Sequence, residues 1–134
     1  MPHLVVLYTP NLDSETDLSA LCRCLGDTML AVRDEDGRQV FPTGGTRVLC
    51  FAATHFAIAD GQRDYAFIYL NLRMGRGRSD AVKKRIGDAL SDAVKESLAP
   101  LFSRRLIGVT LQIDEGQEVY DAKHSNIHPL FNKV

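Results

Sequence analysis

The chain has almost no net charge. Its 16 lysines and arginines face 17 aspartates and glutamates, leaving −1. That balance gives no basic surface for a nucleic acid or an anionic membrane, and neither partner is expected. No apolar run approaches the ~20 residues that a membrane-spanning helix needs. The first residues carry no basic segment, so no cleavable signal peptide is expected. Cysteine is scarce, with only Cys22, Cys24 and Cys50. An odd count without a disulfide framework fits a reducing cytosol, and a cytoplasmic location is expected. Cys22-Arg23-Cys24 falls in a helical pattern, where residues two apart point in different directions, so packing is favoured over metal binding. The four histidines, His3, His55, His124 and His128, are scattered. His124 and His128 have helical i,i+4 spacing but lie beside Pro129 with no carboxylate partner, so no metal site is expected.

What remains is a soluble globular composition, 45% hydrophobic and 25% charged over 134 residues. Residues 1–134 are expected to form a single domain. Leu4 to Tyr8 reads as a strand, broken by Pro10 and Asn11. Ser14-Glu15-Thr16-Asp17 offers a helix N-cap with an acidic first turn. Leu18, Leu21, Cys22, Leu25, Met29 and Val32 form one face of the helix that follows. A polar loop, Asp34 to Arg38, ends it. Gly44 to Ala53 reads as a second strand and Thr54 to Arg63 as irregular. Asp64 to Leu72 is a third strand whose two faces both look covered. Ser79 is the expected N-cap of a second helix, with Asp80 in its first turn and a buried stripe from Val82 to Leu98. Pro100 should end or kink it, and Leu101 to Leu106 suits a short helical turn. Ile107 to Asp114 alternates as a last strand. Gly116 to Val134 is turn-rich, with apolar anchors at Val119, Ile127, Leu130 and Phe131.

The fold class is therefore α/β: a repeated β-α-β unit giving a four-stranded mixed sheet with two helices on one face. The other face would be bare in a chain this small, and an obligate oligomer is expected to cover it.

Pro2 stands directly after Met1 and before the first strand. Removal of Met1, which aminopeptidases allow before proline, leaves a free secondary amine there. Such an amine acts as a base if burial or nearby positive charge lowers its pKa. On the strand and the proline alone, an inert N-terminal proline is the simpler reading.

Five segments change that balance. They are Met1-Pro2-His3, Phe41 to Val48 (Phe-Pro-Thr-Gly-Gly-Thr-Arg-Val), Asp60 to Phe67 (Asp-Gly-Gln-Arg-Asp-Tyr-Ala-Phe), Gly75-Arg76-Gly77-Arg78-Ser79 and Asn126 to Phe131 (Asn-Ile-His-Pro-Leu-Phe). In that order they resemble the 5-carboxymethyl-2-hydroxymuconate isomerases of the tautomerase superfamily, essentially end to end. The resemblance implies a homotrimer, Pro2 as general base and ketonisation of a dienol acid in homoprotocatechuate catabolism. It implies a small carboxylate substrate and neither metal nor organic cofactor. Arg47 and Arg78 stand where the family pattern has arginine, which marks both as substrate-binding residues. Arg78 would anchor one carboxylate, and Arg47, from the same or a neighbouring subunit, a second carboxylate or the dienolate oxygen. Taken singly, each also fits an ordinary surface salt bridge. Arg76 has no counterpart in the pattern and reads as solvent-facing. His3 reads as a packing or subunit-contact residue.

Two positions depart from the pattern. Leu49 stands where relatives carry another arginine, and an aromatic expected near Ala52 is absent. These changes leave the substrate open. Another enol acid, such as an arylpyruvate, keeps the same base, and a noncatalytic trimeric binding module keeps only the fold.

Overall fold

A computed structural model describes residues 2–131. Four strands and two helices run in the order β1 (His3–Tyr8), α1 (Leu18–Ala31), β2 (Arg47–Ala52), β3 (Ala66–Met74), α2 (Asp80–Phe102) and β4 (Ile107–Glu115). The sheet order is β2-β1-β3-β4. β1 pairs with β2 in parallel, and β3 with β4 likewise. The two parallel pairs meet along an antiparallel β1–β3 ladder. This is the expected mixed sheet of two β-α-β units, each parallel pair joined through its own helix.

Alternation along the strands decides where the core lies. Leu4, Val6, Ile68, Leu70 and Leu72 are fully buried, and they form one cluster with Leu21, Leu25 and Met29 of α1 and Ile86, Leu90 and Leu98 of α2. Both helices therefore cover the same face. Among the described residues the opposite face is left largely open within one chain. Leu7, Leu49 and Phe51 stand 41%, 48% and 51% exposed there, enough to leave an apolar patch on β1 and β2. The β3–β4 half of that face is polar and bonded within itself. The Tyr69 hydroxyl donates to Gln112 Oε1 at 2.8 Å and Asn71 Nδ2 to Asp114 Oδ2 at 2.8 Å. The expectation that both faces of β3 are covered thus holds only for its even-numbered positions.

Local signals set the helix starts. Asp17 caps α1, accepting from the Ala20 amide at 3.0 Å. No acid stands in the first turn of α1; the expected acidic turn is corrected, because the aspartate is spent as the cap itself. Ser79 caps α2, accepting from the Val82 amide at 3.2 Å, with Asp80 following as expected. Pro100 does not end α2, which continues to Phe102. Proline so close to the end removes only one late helical bond, while buried Leu98 and Leu101 hold the last turn against the core.

Strand β2 begins later than the sequence suggests. Thr43–Gly45 instead forms a short 3₁₀ turn, and Gly44 lies beneath the tail. A Cβ at Gly44 would stand 2.4 Å from the His128 Cα, so the close approach of two backbones requires glycine there. The segment after β4 otherwise makes little use of its apolar residues. Val119, Ile127, Leu130 and Phe131 are all more than half exposed, so they are not anchors within the chain. Val134 lies outside the described residues.

Thr54 to Arg63 joins the ends of β2 and β3 that lie beside Tyr8, opposite the Pro2 end of the sheet. Six strand residues separate the two ends, roughly 20 Å at ~3.3 Å each.

Candidate active site

Three chain segments converge at the end of the sheet where β1 begins. Pro2 is buried, and alternation sets it on the helix-facing side with Leu4 and Val6. Met1 lies outside the described residues. Across the antiparallel ladder His3 pairs with Arg73, so Met74 and the turn after it come to the Pro2 end. β4 finishes at the same end, where Met74 pairs with Glu115 and the Gly116 amide donates to the Met74 carbonyl at 2.7 Å.

Arg78 sits in the turn between β3 and α2. Its Nη1 donates to the Gly75 carbonyl at 3.0 Å, and its guanidinium carbon lies 5.1 Å from the centre of the Phe41 ring. Phe41 is fully buried, so the ring is a fixed wall and the cation is stacked on it. Burial lowers the Arg78 pKa, while the Glu115 carboxylate pulls it upward. A partly desolvated guanidinium with fixed geometry is suited to bind a carboxylate by two parallel hydrogen bonds. The helix cap beside it is also ordered. Ser79 Oγ donates to Glu35 Oε1 at 3.2 Å, and the loop carrying Glu35 is closed by Asp34 Oδ1, which accepts from the amides of Asp36 and Arg38 at 2.9 Å each.

Arg47 opens β2 directly beside His3 in the parallel register. It therefore shares the end of the sheet with Pro2 but belongs with His3 to the uncovered face. The structure brings Pro2, Arg78 and Arg47 to the same end of the sheet, with Arg47 level with His3. Burial, with the Arg47 charge second, lowers the pKa of His3 and favours its neutral form. A cavity of about 560 Å³ lies between α1, the start of β2 and the tail, with Cys22, Gly26, Thr43, Arg47 and Phe131 in its wall; Pro2 does not line it. Arg76 is exposed, yet its Nε donates to the Gly116 carbonyl at 3.0 Å, so it ties the two loops together and is not merely solvent-facing. Among the described residues, no group of three His, Cys, Asp or Glu is placed to hold a metal ion. No helix among them is long and apolar enough to cross a membrane.

Sequence reasoning missed Lys83 and Glu115, which form an ion pair at 2.8 Å beside Arg78. Neither stands in a motif, and only the β3–β4 register shows that Glu115 belongs to this end.

A family profile for 5-carboxymethyl-2-hydroxymuconate isomerase matches residues 2–131. The chain belongs to that family. The 5-carboxymethyl-2-hydroxymuconate Delta-isomerase of Escherichia coli is 31% identical over 131 residues, covering 98% of this chain and 99% of the relative. A crystal structure of a 5-carboxymethyl-2-hydroxymuconate delta-isomerase superposes with a TM-score of 0.96 at 57% identity, covering 100% of this chain and 95% of the other. A 5-carboxymethyl-2-hydroxymuconate isomerase from Deinococcus radiodurans R1 gives 0.86 at 35% identity, over 98% and 95%. Membership in the hydroxymuconate isomerase family makes this chain an isomerase of the tautomerase superfamily. The sheet described above is that superfamily's fold, as the resemblance of the five segments implies.

Proposed function

We propose that the chain without Met1 is a cofactor-independent tautomerase that ketonises an unsaturated 2-hydroxy dicarboxylate of the 5-carboxymethyl-2-hydroxymuconate type, with the Pro2 amine as general base. The observation that carries this reading is the burial of Pro2 at the same end of the sheet as a desolvated arginine stacked on Phe41. An α-amine titrates near ~8, and proline's secondary amine is intrinsically more basic. To act as a free base near neutrality that amine needs a lowered pKa, and burial is an influence that works in this direction.

The chemistry then balances within the substrate. The amine takes the proton of the enol hydroxyl, the C–O bond becomes a carbonyl as the double bonds shift, and the ammonium returns the proton to carbon. Arg78 holds one carboxylate. Arg47, on the uncovered face, serves a second carboxylate or the dienolate oxygen of a neighbouring subunit's substrate. The apolar patch of Leu7, Leu49 and Phe51 supports a homotrimer in which these faces are buried together. The expected setting is homoprotocatechuate catabolism in the cytoplasm.

Leu49 favours keeping one other substrate class in view. It is 48% exposed on the strand face it shares with Arg47, so that face carries one cation fewer than the family pattern provides. An enol monocarboxylate such as an arylpyruvate asks less of it. The deciding experiment is an ultraviolet assay of protein whose intact mass shows loss of Met1, run against hydroxymuconate dicarboxylates and enol pyruvates. Turnover of the dicarboxylates is expected to be the fastest. A processed protein that turns over none of them sinks the proposal, and faster turnover of the monocarboxylates moves it to the second substrate. Sedimentation of the same sample should give the mass of three chains; a monomer would remove the trimer.

A further inference from the structure

The proposed chemistry leaves one charged group beside Arg78 without a task. Glu115 ends β4 with its side chain only 30% exposed, and it is the carboxylate whose field acts on Arg78. Yet it does not pair with that arginine. Its Oε1 lies 2.8 Å from Lys83 Nζ, in the first turn of α2, where the Lys83 amide is itself tied to the Ser79 carbonyl at 3.0 Å. The other acid near Lys83 is Asp80 at 3.7 Å, which is fully exposed and adds little. Hydrogen bonding to Glu115 is the main cause of the raised Lys83 pKa. Arg78 meanwhile donates to the neutral Gly75 carbonyl.

A carboxylate fixed to the same sheet end is a strong competitor for those arginine donors. It is always present at high effective concentration, whereas a substrate carboxylate arrives from solution. We infer that Lys83 is a positioning residue: by holding Glu115 at the end of β4, it keeps Arg78 open to the carboxylate of the substrate. This rests on the reading of Arg78 as the carboxylate anchor. It adds a specific device to that reading, a lysine that acts on the substrate only through a glutamate and an arginine.

The test is a cycle of four processed proteins: wild type, Lys83→Gln, Glu115→Gln and the double variant. Lys83→Gln should raise KM for a hydroxymuconate dicarboxylate about fivefold, with kcat held within about twofold. The double variant should return KM to within about twofold of wild type, because the released competitor is gone. Lys83→Arg, which keeps a cation for Glu115, should restore most of the affinity. Calorimetric binding of adipate to the same proteins reads the effect without turnover. A KM and an adipate Kd that stay put in Lys83→Gln overturn the inference. So does a double variant as weak as the single one, which would mean that Lys83 contacts the ligand itself. A wild type that binds adipate with the expected cycle but turns over no enol acid would overturn the tautomerase reading and leave the positioning role standing.

Discussion

Pro2→Ala, made in a chain freed of Met1, is expected to lower kcat about a hundredfold while KM moves within about threefold. Alanine keeps a nitrogen at the mouth of β1 but loses the ring that fixes its direction. The primary amine is also less basic and turns freely about its bond to Cα. The contacts proposed for Arg78 do not depend on that ring, so binding should survive. The companion measurement is the chain with Met1 still attached. There the nitrogen at residue 2 is an amide without useful basicity, and turnover should be lost altogether. Steady-state kinetics with the mass of each sample recorded checks both. A Pro2→Ala protein with kcat within about twofold of wild type removes Pro2 from its role.

Arg78→Ala should lower kcat/KM about a hundredfold, mostly through KM. A charge-assisted pair to a carboxylate contributes on the order of 1.5–3 kcal/mol. Alanine also leaves the Gly75 carbonyl without its donor and the Phe41 ring without its cation. Thermal unfolding should accompany the kinetics, so that any loss of fold is separated from loss of binding. Arg78→Lys should recover little, because a point charge replaces a planar fork that can hold both carboxylate oxygens. The substrate comparison adds a second reading. If Arg47 binds a second carboxylate, a monocarboxylate would lose its sole anchor, whereas a dicarboxylate would still be held. The monocarboxylate should therefore suffer more. An equal fall in the two would detach Arg47 from the second carboxylate.

How far such residues can be read from the sequence depends on the range of the interaction that places them. The caps of both helices involve contacts within three residues, and Ser79 is legible for that reason. The core stripes follow from period alone. Strand β2 is misjudged at its start because the Thr43–Gly45 turn is set by a tail more than eighty residues away, packed on Gly44. Arg78 is marked by its motif, but its seat over Phe41 is a tertiary fact. Arg47 is marked too, yet its place level with His3 needs the β1–β2 register. Glu115 and Lys83 carry no local signal at all. They acquire meaning only when the β3–β4 ladder brings the last strand residue to the turn after β3.

The antiparallel seam between β1 and β3 has one more consequence. It relates the two β-α-β units by an approximate two-fold axis, which turns the Pro2 end of the sheet into the opposite end near Tyr8 and Ala66. The rotation maps the Ser79 cap of α2 onto the Asp17 cap of α1, but the charges around the two caps are inverted. Ahead of Ser79 stands a cation, Arg78. Ahead of Asp17 stands Glu15, already neutralised by Arg105, which also reaches the Asn11 carbonyl at 3.4 Å and Asp64 Oδ2 at 3.3 Å. Arg105 has only 9% of its side chain exposed, so that socket is plugged from within. On the proposed role of Arg78 an anion would be bound at one pole of the axis, while at the other the arginine is already paired with Glu15 and Asp64. A trimer of such chains would offer three equivalent stations for a dianionic substrate, not six, and half of its apparent symmetry would be chemically silent.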